Sequence, residues 1–246
     1  MSALPAPEAS PPASSEKAQR VRLRFSRGAE AAEIGHLDLA RCWERALREA
    51  GIAVSYSQGK SRQPRITVAA GLAAGVTSDG ELLDAVLAEF ADPATLLERV
   101  QPHLPPGIAL REVREVGMGL PSLPSAVRWA DYEVDVPLAR DVTDATQAVS
   151  LFMATSSFPW VDTRGEKTRD YDLRPLVQEL RVEPGAEGSA RLRMRLRCDA
   201  SGVGRPDQVV KALGLPEAAR IHRLRLVLAE TSPAREAWRR RGRYVP

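Results

Sequence analysis

The chain has 246 residues, of which 43% are hydrophobic, 27% charged and 5% aromatic, with a formal net charge of +3. That length suits one large domain or two of about 120 residues each, and no run of 18 apolar residues exists to span a membrane as a helix. Two cysteines, Cys42 and Cys198, are too few for a disulfide framework, a zinc site or an iron–sulfur ligand set. The expectation is therefore a cytoplasmic protein with no metal and no cofactor.

Positions 1–19 are rich in Ala, Pro and Ser and read as a disordered arm without the basic and apolar regions of a secretory signal. Order begins with Val21, Leu23 and Phe25 alternating with Arg20, Arg22 and Arg24, a half-buried strand. Leu37, Ala40, Trp43, Leu47 and Ala50 then trace a helix face, closed by Gly51. Two strands are expected over 52–56 and 65–70, joined by the polar loop from Ser57 to Pro64. Ser78 and Glu81 have capping-box spacing, so a helix is expected through Phe90, and Asp92-Pro93 restarts another as far as Leu104. Ile108 to Val116 reads as a strand, which completes a β-α-β-β-α-β order.

Positions 118–127 hold Gly119, Pro121 and Pro124 and read as a linker. Beyond it the pattern repeats. Strands are expected at 132–136, 173–182, 190–198 and 221–228, with helices at 142–153 and from Pro206 to Gly214. The fold class is α+β: tandem ferredoxin-like (βαββαβ) halves, 20–117 and 128–230, with antiparallel sheets and helices on one face. Positions 231–246 form a basic C-terminal tail.

Several short strings share an order and spacing that resemble a known family. They are Arg24-Phe25-Ser26, His36-Leu37-Asp38-Leu39, Arg45-Ala46-Leu47, Tyr56-Ser57-Gln58-Gly59, Pro64-Arg65-Ile66 and the run from Lys167 to Pro175. The chain resembles, over roughly 20–230, the radical SAM-linked domain family of unknown function. The resemblance implies a neighbour or fusion partner, either a cobalamin-type radical SAM protein or an E/G-type ribonuclease. This chain departs from the family pattern at Gly35, where Ser is usual. It also has Lys60-Ser61-Arg62-Gln63 in place of Phe-Asn-Pro-His, so any role of that histidine is absent. No three-cysteine motif is present, and the chain cannot itself perform radical SAM chemistry.

All but Lys17, Lys60, Lys167 and Lys211 of the 35 basic residues are arginine. A GC-rich genome accounts for such usage, and so does a surface for phosphate, which guanidinium grips bidentately. Arg22 and Arg24 share one strand face; Arg191, Arg193, Arg195 and Arg197 share another, and Arg223 and Arg225 a third. Asp131, Glu133 and Asp135 are expected on the strand between the last two rows, pairing across them. No Phe or Tyr falls on these faces, so base stacking is not expected there.

Three functions follow. The first is a non-catalytic RNA-binding accessory protein that presents RNA or a ribonucleoprotein to a partner enzyme. Its contacts would be Arg22, Arg24, Lys60, Arg62, Arg65, Lys167, Arg169 and Arg174, with Arg239, Arg240 and Arg241 in the tail. The second is a metal-independent endoribonuclease, with His36 beside Asp38 as acid/base and Lys167 or Arg174 as phosphate clamp. The third is a protein–protein adaptor for the radical SAM protein or the ribonuclease. Neither His103 nor His222 lies in a sequence motif with a nucleophile.

Overall fold

A computed structural model describes residues 18–59, 61–138, 142–186 and 188–229. The expected arm, apart from Ala18 and Gln19, and the expected tail lie outside the described residues, as does Lys60. The first half of the chain runs β1 (Gln19–Arg27), α1 (His36–Glu49), β2 (Ile66–Val68), β3 (Thr77–Leu87), α2 (Pro93–Val100) and β4 (Ile108–Val116). Val21, Leu23 and Phe25 point from β1 into an apolar cluster with Leu39, Trp43 and Leu47 of α1. The Phe25 and Trp43 rings meet edge to face, centroids 4.9 Å apart.

The expected helix at 78–90 is instead strand β3. Leu82, Leu83, Ala85, Val86 and Leu87 are all buried, because β3 lies inside the sheet and is covered on both faces. A run buried on both faces, broken only by the buried Asp84, carries little period to tell strand from helix. Ser78 and Glu81 do not cap: the Ser78 hydroxyl accepts from Gly80 N–H, and Glu81 pairs with Arg223. The strand expected at 52–56 reduces to isolated bridges at Val54 and Tyr56. The order β-α-β-β-α-β still holds, with β2 and β3 as its middle strands.

A short helical turn, α3 (Leu123–Ala126), occupies the expected linker, and Leu123 is fully buried. Arg20 fastens this segment, donating to the carbonyls of Leu120 and Pro121 at 3.0 Å each. The second half runs β5 (Val127–Pro137), α4 (Val142–Ala154), β6 (Pro159–Arg164), β7 (Lys167–Asp172), β8 (Val177–Pro184), β9 (Ser189–Asp199), β10 (Gly202–Val203), α5 (Pro206–Ala212) and β11 (Arg220–Leu228). The β6–β7 hairpin was not legible in the sequence. Its strands are mostly polar and it forms a two-stranded sheet of its own.

Strand pairing unites the halves in a mixed α+β architecture with one large, mostly antiparallel nine-stranded sheet. In the first half the lateral order is β2-β3-β1-β4, and in the second β8-β9-β5-β11, each neighbour antiparallel. The halves join where β11 runs parallel to β3, with His222 opposite Thr77 and Arg223 opposite Ser78. Beside this seam the buried Arg223 guanidinium donates from Nε to Glu81 at 2.7 Å, and from Nη1 to Gly71 O at 2.9 Å. Gly80 permits the approach: a Cβ there would lie 2.6 Å from Leu224 O and 2.8 Å from Arg225 Cα, both backbone.

Gly80→Ala is therefore expected to destabilise the protein by about 1–3 kcal/mol through overpacking. Gly71→Ala, where nothing lies within 4 Å of the added carbon, is expected to change little. Urea unfolding midpoints of the two variants check this.

Candidate functional site

The polar face of the sheet is a charge lattice rather than an open cationic platform. In the second half, β5 lies between β9 and β11. Asp131 accepts from Arg195 Nε at 2.6 Å and from Arg225 Nε at 2.8 Å. Asp135 accepts from Arg191 Nε at 2.8 Å and Arg220 Nε at 2.9 Å. Glu133 pairs with Arg193 at 2.8 Å, with Arg191 at 3.4 Å and with Arg220. Opposite charges on adjacent strands are the favourable cross-strand arrangement, and the period of two along β5 and β9 keeps them in register.

Burial alone would raise the pKa of Asp131, but the hydrogen bonds from Arg195 and Arg225 more than reverse it and hold the carboxyl below its ordinary value. Asp135 is likewise raised by burial and lowered further by Arg191 and Arg220. Arg223 leaves this face. The register shifts between Arg223 and Arg225, so Arg223 turns inward, fully buried, while Arg225 stays on the surface. Sequence alternation placed the two together, and the bulge separates them. An aromatic does lie on the arginine face: Trp129 opposes Arg197, whose guanidinium stacks 4.8 Å from the ring centroid.

In the first half, Arg20 and Arg22 share one buried carboxylate, Asp84, at 2.5 and 2.7 Å. Arg22 is 6% exposed and is closed to an RNA backbone. Arg24 pairs with Glu112 at 3.0 Å at the surface. Arg174 is also committed. It donates to the carbonyls of Thr155, Val177 and Met153, which makes it a brace between α4 and β8, not a phosphate clamp. Asp172 accepts from the Phe158 and Arg174 backbone N–H groups at 2.8 and 3.0 Å. These bonds, the first foremost, hold its carboxyl below the ordinary value.

Two surfaces keep cations available. On the outer face of α1, Arg41, Arg45 and Arg48 follow helical spacing and line a shallow groove with Asp38 and Glu44. The 57–63 turn is tied to this helix, since Tyr56 Oη donates to Glu44 at 2.6 Å. Ser57 N–H also donates to Gln63 O, and Gln63 N–H to Ser57 Oγ. Arg62 and Arg65 project from the segment, exposed. His36 is exposed at the first turn of α1, and Asp38 there pairs with Arg41 at 3.0 Å rather than with the imidazole. Lys167 and Arg169 are exposed on β7.

The hairpin carrying Lys167 and Arg169 forms one wall of a cleft of about 940 Å³. The segment 71–76 of the first half and the loop 199–207 form the others, with Tyr132 and Tyr171 among the lining side chains. Tyr171 Oη donates to Gln208 Oε1 at 2.5 Å. Arg205 pairs there with Asp207 at 3.1 Å, and Asp199 accepts from Ser201. The structure also brings His222 to a hydroxyl and a carboxylate that sequence spacing gave no reason to join. Its Nδ1 lies 2.7 Å from Thr77 Oγ1 and its Nε2 lies 3.1 Å from Asp79. Among the described residues no group of three or more His, Cys, Asp or Glu is arranged to hold a metal ion, and no helix is long and apolar enough to cross a membrane.

The sheet, its ion-pair lattice and the two cationic surfaces belong to a mixed α+β protein. The chain belongs to the family described as "Uncharacterized protein conserved in bacteria (DUF2344)", whose model matches residues 20–206. No curated protein matches it. Among solved structures it is similar to one described as "Crystal structure of putative glycine cleavage system transcriptional repressor". That likeness is 10% in sequence identity, with a TM-score of 0.23, covering 87% of this chain and 99% of that one. It is too loose to bear on fold or function.

The lattice makes a pH prediction. Carboxyls with folded pKa values below their unfolded values stabilise the fold fully above about pH 4, and that stabilisation is lost as pH falls through the lower folded values. Urea midpoints are expected to drop between about pH 4 and pH 2. Asp131→Asn is expected to be less stable at neutral pH and to show a shallower drop.

Proposed function

We propose that this protein is a non-catalytic RNA-binding accessory protein whose contact surface is the outer face of α1 with the 57–65 segment. The observation that carries the reading is the set Arg45, Arg48, Arg62 and Arg65. All four are exposed and make no ion pair among the described residues, while the arginines of β9 and β11 are paired with neighbouring acids. Phosphate contacts need cations that are not already satisfied, and a helix face beside a short basic loop presents them to a backbone from two directions. Lys60 belongs to the same loop in sequence and adds to its positive charge.

The strand orders support reading each half as ferredoxin-like, 20–117 and 128–230, with the β6–β7 hairpin as an insertion in the second. In this reading the RNA does not lie on the sheet, which is where RNA-recognition modules of that fold place it. The family resemblance adds a partner enzyme, either a radical SAM protein or an E/G-type ribonuclease, to which the RNA or ribonucleoprotein is presented, and the small cysteine count favours a cytoplasmic setting. The nuclease alternative rests on His36, which makes no hydrogen bond among the described residues, and on Arg174, which is held by backbone carbonyls.

Fluorescence anisotropy of the full chain with a structured RNA at several salt concentrations tests the proposal. Affinity is expected to fall steeply with salt. The Arg45→Ala, Arg62→Ala and Arg65→Ala combination is expected to weaken binding and to reduce the log–log salt slope by about one per contact removed. Arg191→Ala and Arg195→Ala are expected to leave RNA affinity unchanged. No RNA binding at low salt, with a protein partner retained after RNase treatment, replaces this reading with the adaptor.

A further inference from the structure

We propose that the free edge of β4 docks a second copy of this chain, strand against strand, in a twofold dimer. Among the described residues, strand β4 ends the lateral order of the sheet and pairs only with β1. Its outer edge presents main-chain groups with no partner strand among those residues, a template for another chain. Near its start the edge is closed, because the Leu110 N–H donates to the Gln101 side chain at 2.7 Å. From Arg111 to Val116 it is open, and Arg111, Glu112, Arg114 and Glu115 are all exposed.

The sequence along that open edge is Arg111-Glu112-Val113-Arg114-Glu115. Laid antiparallel on itself about Val113, it places Arg111 opposite Glu115 and Glu112 opposite Arg114 of the second copy, each pair occurring twice. Other registers fail on charge. A slip of one residue in the first direction opposes Arg111 with Arg114, and in the other direction Glu112 with Glu115. Slips of two oppose Glu112 or Arg114 with itself. Like charges directly opposite are destabilising and opposite charges favourable, so the edge selects itself in one register. Charges on an edge ordinarily repel a neighbouring strand; this alternation repels other edges while matching its own copy.

Arg114 supplies an independent reason. Its cross-strand neighbour on β1 is Arg22, and the nearby acid, Asp84, is already shared between Arg20 and Arg22. Arg114 thus stands against a like charge without an acid of its own among the described residues. Glu112 can supply one, since its pairing with Arg24 at 3.0 Å leaves the carboxylate about half exposed. The twofold arrangement gives each Arg114 the Glu112 of the other copy. It is an isologous contact, closed at two subunits, and it carries the nine-stranded sheet of one protomer into that of the other.

Sedimentation velocity of the full chain, from low to high micromolar, tests this with the variants Arg114→Glu and Glu112→Arg. The wild type is expected to shift from monomer to dimer with concentration, and each variant alone is expected to stay monomeric. An equimolar mixture of the two variants restores opposite charge at the 112–114 pairs and is expected to form a heterodimer, which also shows that both variants fold. A wild type monomeric throughout overturns the proposal. So do a dimer that survives both substitutions, which places the interface elsewhere, and variants that dissociate but do not associate when mixed.

Discussion

Glu81 and Arg223 stand 142 positions apart in the chain and meet where neither is more than 1% exposed. That meeting lies beside the seam at which the two halves join. The strands that join them, β3 and β11, are in parallel register at only two positions, too few ladder bonds to fix an orientation alone. Taking a guanidinium and a carboxylate out of water is costly unless each finds its partner in good geometry. Burial opposes the charge on Arg223, but the adjacent Glu81 more than restores it and holds the pKa above the ordinary value for arginine. Arg223 also holds the Gly71 carbonyl, so one side chain ties β11 to both β3 and the loop that walls the cleft. A shift of the seam by one residue would bury both charges unpaired, which is why the pair acts as a register lock.

The same rule governs the surface. Three acids on β5 receive Arg191, Arg193, Arg195, Arg220 and Arg225 from the two flanking strands. A phosphate approaching this face must displace carboxylates already hydrogen-bonded at 2.6–2.9 Å, and its attraction to each arginine is offset by repulsion from the acid beside it. The face is rich in arginine and yet has a short-range, alternating potential. Counting arginines on a strand therefore overstates its affinity for nucleic acid; what decides is whether the neighbouring strand supplies acids.

Much of this was legible. The alternation of Asp131, Glu133 and Asp135 against Tyr132 and Val134 gave the middle strand and its acids, and the mixed α+β class followed from where strands and helices fell. What failed has physical causes. Strand β3 is buried on both faces, with Glu81 and Asp84 paired to arginines, so its sequence carries no clean period of two, and Leu82, Val86 and Phe90 fell at helical spacing by coincidence. The β6–β7 hairpin is mostly polar, so hydrophobic periodicity cannot mark it. The bulge that turns Arg223 inward lies against Gly80 across the seam, a contact no local pattern encodes. His222 meets Thr77 and Asp79 for the same reason: the partners come from the other half of the chain.

Outside the lattice, two groups of exposed arginine differ in their surroundings, and the surroundings separate their uses. On α1 and the 57–65 segment the free cations are not matched one for one by acids, so their fields add at the distance of a phosphate backbone. On β4 the signs alternate residue by residue, so the fields cancel a short way out and act only on a strand laid directly alongside. A polyanion is drawn to the first arrangement and gains little from the second; an identical strand in antiparallel register is matched by the second and repelled by the first. The two surfaces therefore do not compete for one ligand. The ion pairs among β5, β9 and β11 are what leave each of them free to act alone.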